Sequence, residues 1–227
     1  MRGRPSPSVA RAGRSPAAAS LDLVCCAAAG RHLAVLVAGG ERGTSALPWA
    51  ALDVAAPLEA AAARLARERV GRAPTWMAQV GVAGEGRRHP SGAPLSVGYV
   101  AVVPTGTPAP AGHAWVPIAE LSGLGPRQQG LVADAVTALR DRMDLAPIAF
   151  RMLPPTFTLS ELQQMYELLL GRRLHKASFR RALQGAWLVE PTDEWRSEGR
   201  GRPAQLFRYA PRKRRGVRRS VRFELLG

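Results

Sequence analysis

Between residues 149 and 209 the chain carries its own punctuation, and that punctuation admits few folds. Thr158-Leu-Ser-Glu161 has the spacing of a capping box, in which a threonine and the glutamate three residues on satisfy each other's backbone N–H groups. A helix therefore starts there. Leu159, Leu162, Tyr166 and Leu169 recur at about one helix face. Gly171 suits the left-handed residue that closes a helix. A second helix is expected over residues 176–184, stopping at Gly185. Two short strands, AWLVE and PAQLFRY, follow around a loop, WRSEGRGR, rich in Arg and Gly. Helix, turn, helix and a hairpin with a basic tip is the element order of a winged helix-turn-helix.

Charge follows the same division. The 227 residues hold 32 Lys+Arg against 17 Asp+Glu, a formal net charge of +15. Residues 1–20 carry four arginines and no acid, residues 21–147 hold 11 basic and 10 acidic side chains, and residues 148–227 hold 17 and 7. A near-neutral body with a basic C-terminal third implies two units with different partners. Excess cationic charge attracts polyanions through counterion release, so nucleic acid is the first partner class. An anionic membrane surface would prefer a basic amphipathic helix with exposed aromatics. Leu174, just before the second helix, and Phe179, Ala182 and Leu183 on it can supply the buried face; Lys176 and Arg180, four apart, share an outward face with Ser178, Arg181 and Gln184 nearby. Such groups suit phosphate contacts and, for Arg, bidentate reading of guanine. Arg200 and Arg202 fall at the hairpin tip, where a wing would meet the DNA backbone or minor groove. The competing reading of these charges is a solvated face. The arginines within residues 212–222 fit either a non-specific DNA-gripping tail or disorder.

Upstream, residues 1–20 lack periodicity and read as a disordered tail. Two apolar runs, LDLVCCAAAG and HLAVLVAGG, read as strands joined by a tight turn around Arg31 and His32. An Ala-rich helix is expected over residues 58–70, closed by Gly71. Strands follow over 75–83 and 95–103, with an HPSG turn between them. WVPIAEL is a short strand or turn. Leu131, Val132, Val136, Leu139 and Met143 have helical spacing over residues 127–143. Strands alternating with helices imply an α/β domain. The expected organisation is a tail (1–20), an α/β domain (21–147), a winged helix-turn-helix (148–211) and a basic tail (212–227). Residues 152–155 are a candidate hinge.

Hydrophobic residues at 46% can build a real core. No apolar run approaches the roughly 18–20 residues that span a bilayer, and no signal peptide is read; no membrane partner is expected. The adjacent Cys25 and Cys26 form neither a metal quartet nor a disulfide framework and are expected in the core, which fits the reducing cytoplasm. His32, His89, His113 and His175 are scattered without ligand spacing, and no Ser-His-Asp constellation is legible. Glycines at 38–43 and 199–201 lack P-loop spacing. Trp76 and Trp115 are expected in the core, and Trp187 packed within the winged domain.

The stretch FRMLPPTFTLSELQQMYELLLGRRLHKASFRRAL, followed by GRGRPAQLFRY, closely resembles the C-terminal DNA-binding part of the Nudix-related transcriptional regulators, the NrtR family. Upstream, ALPWAALDV stands where that family has Leu-Pro-Gly-Gly. Residues 87–92 (RRHPSG) match a family turn of the type Arg-Asp-Pro-x-Gly, and WVPIAEL precedes the linking helix as it does there. The resemblance covers about residues 21–209. It implies a Nudix-like α/β/α sandwich followed by a winged helix-turn-helix, and a homodimer on a palindromic double-stranded DNA operator. It further implies repression of NAD-metabolism genes, relieved by ADP-ribose or a related nucleotide. Family members usually carry Asn where Ser178 stands here.

The Nudix box has the pattern G-x5-E-x7-R-E-U-x-E-E-x-G, with U a bulky aliphatic. Its glutamates hold Mg²⁺, a hard cation that takes oxygen ligands at about 2.0–2.1 Å. Anchored on Gly71, this chain reads Ala50, Ala56, Arg64, Leu65, Ala66, Arg67, Glu68, Arg69, Val70, Gly71. Only Arg64, Glu68 and Gly71 survive, and Arg69 puts a cation where a metal ligand would sit. Catalytic residues, metal and cofactors are therefore expected to be none. Arg64, Glu68 and Trp49 are the candidate effector contacts. Arg64 and Glu68 also fit a helix pair bracing the preceding loop, and Trp49 fits a groove wall or core and loop packing. Two rival readings stay open: an active Nudix hydrolase with a basic tail, and a constitutive DNA-binding protein whose Nudix-like part only dimerises.

Overall fold

The computed structural model describes residues 18–39, 43–53, 55–84, 89–143, 146–197 and 203–210. Strand β1 (Ala19–Ala29) is the axis, buried continuously from Ser20 to Ala27. A strand buried on both faces needs a layer above and below it. It pairs antiparallel with β2 (His32–Gly39) and, along eight residues, parallel with β6 (Leu95–Val102). Strands β3 (Ser45–Ala46) and β7 (His113–Pro117) extend β2, β4 (Trp49–Ala51) pairs with β1, and β5 (Trp76–Ala83) with β6. The result is a seven-stranded mixed sheet.

Alternation along β1 sorts its side chains between two cores. Leu21, Leu23 and Cys25 face helix α1 (Leu58–Val70), which buries Ala61, Ala62, Leu65, Ala66 and Val70. Val24 and Cys26 face helix α2 (Pro126–Arg142), which buries Leu131, Val132, Ala135 and Leu139. The expected α/β/α layering follows. Burial raises both thiols, Cys25 with help from its neighbour and Cys26 to about 12, so both stay protonated as apolar filling. Trp76 and Trp115 are half-buried at the margins of the two cores.

Helix α3 (Ile148–Met152) leads into the C-terminal unit: β8 (Thr156–Phe157), α4 (Leu159–Leu170), α5 (Lys176–Ala186), β9 (Val189–Arg196) and β10 (Ala204–Tyr209), with strand order β8-β10-β9. This is a winged helix. The capping box forms as expected: Glu161 N donates to Thr158 Oγ1 at 3.1 Å and Thr158 N to Glu161 Oε2 at 2.6 Å. The Phe150 ring in α3 meets Phe157, Tyr166 and Tyr209 at centroid distances of 5.8, 6.2 and 4.5 Å.

Five local expectations are corrected. The sheet begins at Ala19 rather than Leu21, so Ser20, placed in the tail, is fully buried. The expected hinge at 152–155 is anchored: Met152 is fully buried, Leu153 nearly so, and Met152 O accepts from Thr105 N at 2.7 Å. The apolar pair enters the core before the prolines turn the chain. Helix α5 passes Gly185, since an internal glycine costs only about 1 kcal/mol and Ala186 still packs on the core. Trp187 ends the helix at φ 52°, and it is 52% exposed instead of enclosed. Strand β9 also takes in Trp195 and Arg196, read from sequence as loop.

Helix α2 lies so close to β6 that a Cβ on Gly98 would stand 2.5 Å from Leu131 Cδ2 and 3.1 Å from Val80 Cγ2. Gly98→Ala is expected to destabilise the protein by about 1–3 kcal/mol through overpacking. Gly130→Ala, on the open side of the same helix, is expected to stabilise it by about 0.5–1 kcal/mol. Urea unfolding of both variants checks the pair.

Candidate nucleic-acid interface and effector site

A recognition helix must be held at a fixed angle, and here the turn before α5 is tied to α4. Leu174 N donates to Glu167 Oε1 at 2.9 Å, and Gln163 Nε2 donates to Leu174 O at 3.0 Å. Phe179 and Leu183 are buried beneath α5, with the Phe179 ring 5.6 Å from that of Tyr166. The opposite face is set by helical spacing. Ala177, Arg181 and Gln184 lie at i, i+4 and i+7 there, and Lys176 and Arg180 flank them. Lys176, Arg180, Arg181 and Gln184 are exposed. Ser178 is half-buried, its Oγ 3.2 Å from His175 Nδ1. Arg181 therefore points most directly away from the buried side, whereas the sequence centres the outward face on Lys176 and Arg180 with Arg181 nearby. Arg200 and Arg202 lie outside the described residues.

The cationic surface is one-sided. Helix α5 carries no carboxylate, whereas β9 carries Glu190, Asp193 and Glu194. Glu190 pairs with Arg208 at 3.3 Å, and Asp193 and Glu194 are exposed. Of the two elements, α5 presents the surface more favourable to a polyanion.

In the sheet domain the structure assembles a buried polar cluster on the α2 face. His89 Nε2 donates to Asp22 Oδ1 at 2.7 Å, Gln128 Nε2 to the same oxygen at 2.8 Å, and Ser20 Oγ to Asp22 Oδ2 at 2.8 Å. Burial works to raise the Asp22 carboxyl, but the hydrogen bonds from His89, Gln128 and Ser20 outweigh it and hold the carboxyl below its ordinary value. On the far side of the ring, Ser91 N donates to His89 Nδ1 at 3.1 Å and Ser91 Oγ lies 2.6 Å away. Ser91 Oγ also accepts from Ala93 N at 3.1 Å, so it closes the 89–92 turn. Leu47 N donates to Gln128 Oε1, and Arg127 holds the Ala93 and Pro94 carbonyls. The turn is legible in the sequence, but this cluster is not. Its one signal was Asp22, a lone carboxylate inside an apolar strand.

The three candidate effector contacts divide between the two faces of the sheet. Trp49 pairs in register with Asp22 and sets its ring edge-on to His89, centroids 5.5 Å apart, on the α2 side. Arg64 and Glu68 are exposed on α1, lining a shallow hollow with Leu21, Ala50, Ala51 and Leu52. The Mg²⁺ of a Nudix centre does not fit this hollow, because a hard dication needs several oxygen donors. Here Glu68 is the one carboxylate lining it among the described residues, beside the Arg64 guanidinium.

Comparison with known proteins places these features. Residues 149–209 match the family model of the NrtR DNA-binding winged helix domain. An ADPR-responsive transcriptional repressor, NtrR, of Acinetobacter baylyi is 32% identical over 160 residues, 67% of this chain and 64% of the relative, slightly under two thirds of its length. The crystal structure of Shewanella oneidensis NrtR complexed with a 27mer DNA is 27% identical with a TM-score of 0.72, covering 85% of this chain and 93% of that one. A second crystal structure of Shewanella oneidensis NrtR is 26% identical with a TM-score of 0.70, over 86% and 94%.

Because the folded state holds the Asp22 carboxyl below 3.8, its stabilisation is present above that pH and is lost as pH falls through the folded value. Asp22→Asn is therefore expected to cost about 2 kcal/mol at pH 7, with the gap to the wild type narrowing below pH 3.8. Urea unfolding across that range checks the sign; a gap that widens toward acid would contradict it.

Proposed function

This is a chain of NrtR architecture, a Nudix-like domain followed by an NrtR DNA-binding winged helix domain, and from that premise we propose that it is a DNA-binding transcriptional regulator whose Nudix-like domain senses a nucleotide. The observation that carries the reading is α5, whose outward face presents Lys176, Arg180, Arg181 and Gln184 with no carboxylate among them. Arg181 reads base edges in the major groove, Lys176 and Arg180 flank it on phosphates, and Ser178 orients the helix start. Arg200 and Arg202 are assigned to the wing tip on the strength of the sequence.

The effector is ADP-ribose or a related nucleotide, in line with the ADPR-responsive Acinetobacter relative. Arg64 and Glu68 offer it a donor and an acceptor, while Trp49, against His89 on the other face of the sheet, lies apart from that hollow. Metal-dependent hydrolysis is absent, because only Glu68 remains of the box carboxylates, and Arg69 puts a guanidinium where another would stand. The regulator is a repressor acting as a homodimer on a palindrome, with half-sites about 34 Å or a multiple apart. By the same resemblance it controls NAD-metabolism genes. Among the described residues no helix is long and apolar enough to cross a membrane, which suits a cytoplasmic protein. An effector changes DNA affinity only if it binds the DNA-competent and DNA-incompetent geometries differently.

Selection of random duplexes by the full chain is expected to enrich a palindrome. Arg180→Ala and Arg181→Ala should each weaken binding to it about tenfold or more, read by fluorescence anisotropy. Unchanged affinity in both variants would assign binding to the tails. Incubation with ADP-ribose and Mg²⁺ is expected to release no product above a protein-free control, and sustained turnover would refute the loss of hydrolysis.

A further inference from the structure

A cleft of about 720 Å³ opens where the β1–β2 turn and the C-terminal half of α2 face α4. It shares no residue with the α1 hollow. Its floor is apolar, formed by Ala28, Leu33, Val136, Leu153, Met165 and Leu168. Its rim holds Arg31, Arg140, Arg172 and Arg173 against two carboxylates, Glu161 and Glu167.

Both carboxylates are committed elsewhere. Glu161 accepts from Thr158 N and, at 2.7 Å, from Arg196. Glu167 accepts from Leu174 N and Gln163 Nε2, with Arg173 at 3.9 Å. Arg31, exposed in its turn, makes no hydrogen bond or ion pair among the described residues. Arg140 donates through Nε to the Leu169 carbonyl at 3.1 Å, leaving its terminal nitrogens without hydrogen bonds among the described residues. It lies so close to the end of α4 that a Cβ on Gly171 would stand 2.9 Å from its NH2 nitrogen.

We propose that this cleft binds a nucleotide-sized organic phosphate, at a site separate from the α1 hollow. Guanidinium forks match phosphate oxygens two at a time. With both acids engaged, a multivalent anion neutralises the rim better than a single carboxylate does. The apolar floor takes the face of a base or a similar flat ring, and the volume lies within the range of roughly 300–1,000 Å³ usual for small-molecule sites. Because Arg140 also holds the last turn of α4, a ligand on its terminal nitrogens bears on the contact between the sheet domain and the winged helix.

The test is calorimetric titration of the full chain with ADP, without Mg²⁺ and at low salt, and DNA does not enter it. Saturable binding is expected, weakened tenfold or more in Arg31→Gln and in Arg140→Gln. Inorganic pyrophosphate should compete with ADP and bind less tightly, since it leaves the floor uncovered. Should Arg140→Gln fail to fold, Arg31→Gln, in an exposed turn, decides alone. No binding of ADP, no competition by pyrophosphate, or an affinity unchanged in Arg31→Gln overturns the proposal.

Discussion

The contact on which everything else rests is the apolar core that passes without a break from the sheet into the winged helix. It runs from Val24 and Val100 through Leu131 and Leu139 of α2 to Ile148 and Phe150 of α3, and on to Leu162, Phe179 and Leu183. Phe150 is its junction, with aromatic partners in β8, α4 and β10. Close-packed interiors pass from one arrangement to another in discrete steps rather than by continuous bending. A winged helix joined in this way shifts against the sheet by repacking, and α2, seated on Gly98 of β6 through Leu131 and on the end of α4 through Arg140, is the element through which that repacking would pass.

Two polar arrangements make the joined core specific. The Asp22 cluster ties β1, the 89–92 turn and the start of α2 around one buried carboxylate. Removing one donor from such a cluster leaves the buried carboxylate short of a hydrogen bond, a cost of about 1–3 kcal/mol. Around α4, Glu161 and Glu167 do corresponding work: one caps the helix and holds Arg196 of the wing strand, the other fixes the turn before α5. The angle of the basic helix is thus set by hydrogen bonds between α4 and the turn before α5.

Much of this was legible in the residues because the signals are local. The capping box at Thr158, the apolar spacing in α4 and the closing glycines at 71 and 171 each name an element from within it, and those elements formed as read. The loss of the carboxylates at positions 56, 65 and 69 is likewise a matter of spacing. What escaped depends on partners far along the chain. His89 gains its meaning only beside Asp22, and Arg140 only beside Gly171. Helix α3 has five residues, too few for a periodicity to show. Trp187 was expected inside because tryptophan usually is, but the left-handed end of α5 turns it outward. Trp49 was grouped with Arg64 and Glu68, and strand alternation puts it on the other face.

The central claim is that one chain joins DNA binding to nucleotide sensing, so that occupancy of one site changes affinity at the other. The most direct measurement is an anisotropy titration of the full chain against its selected duplex, at fixed salt, with and without saturating ADP-ribose. The account predicts a Kd at least about fivefold higher with ADP-ribose, the lower end of ordinary allosteric coupling. A Kd unchanged by ADP-ribose that calorimetry shows to be bound would contradict it.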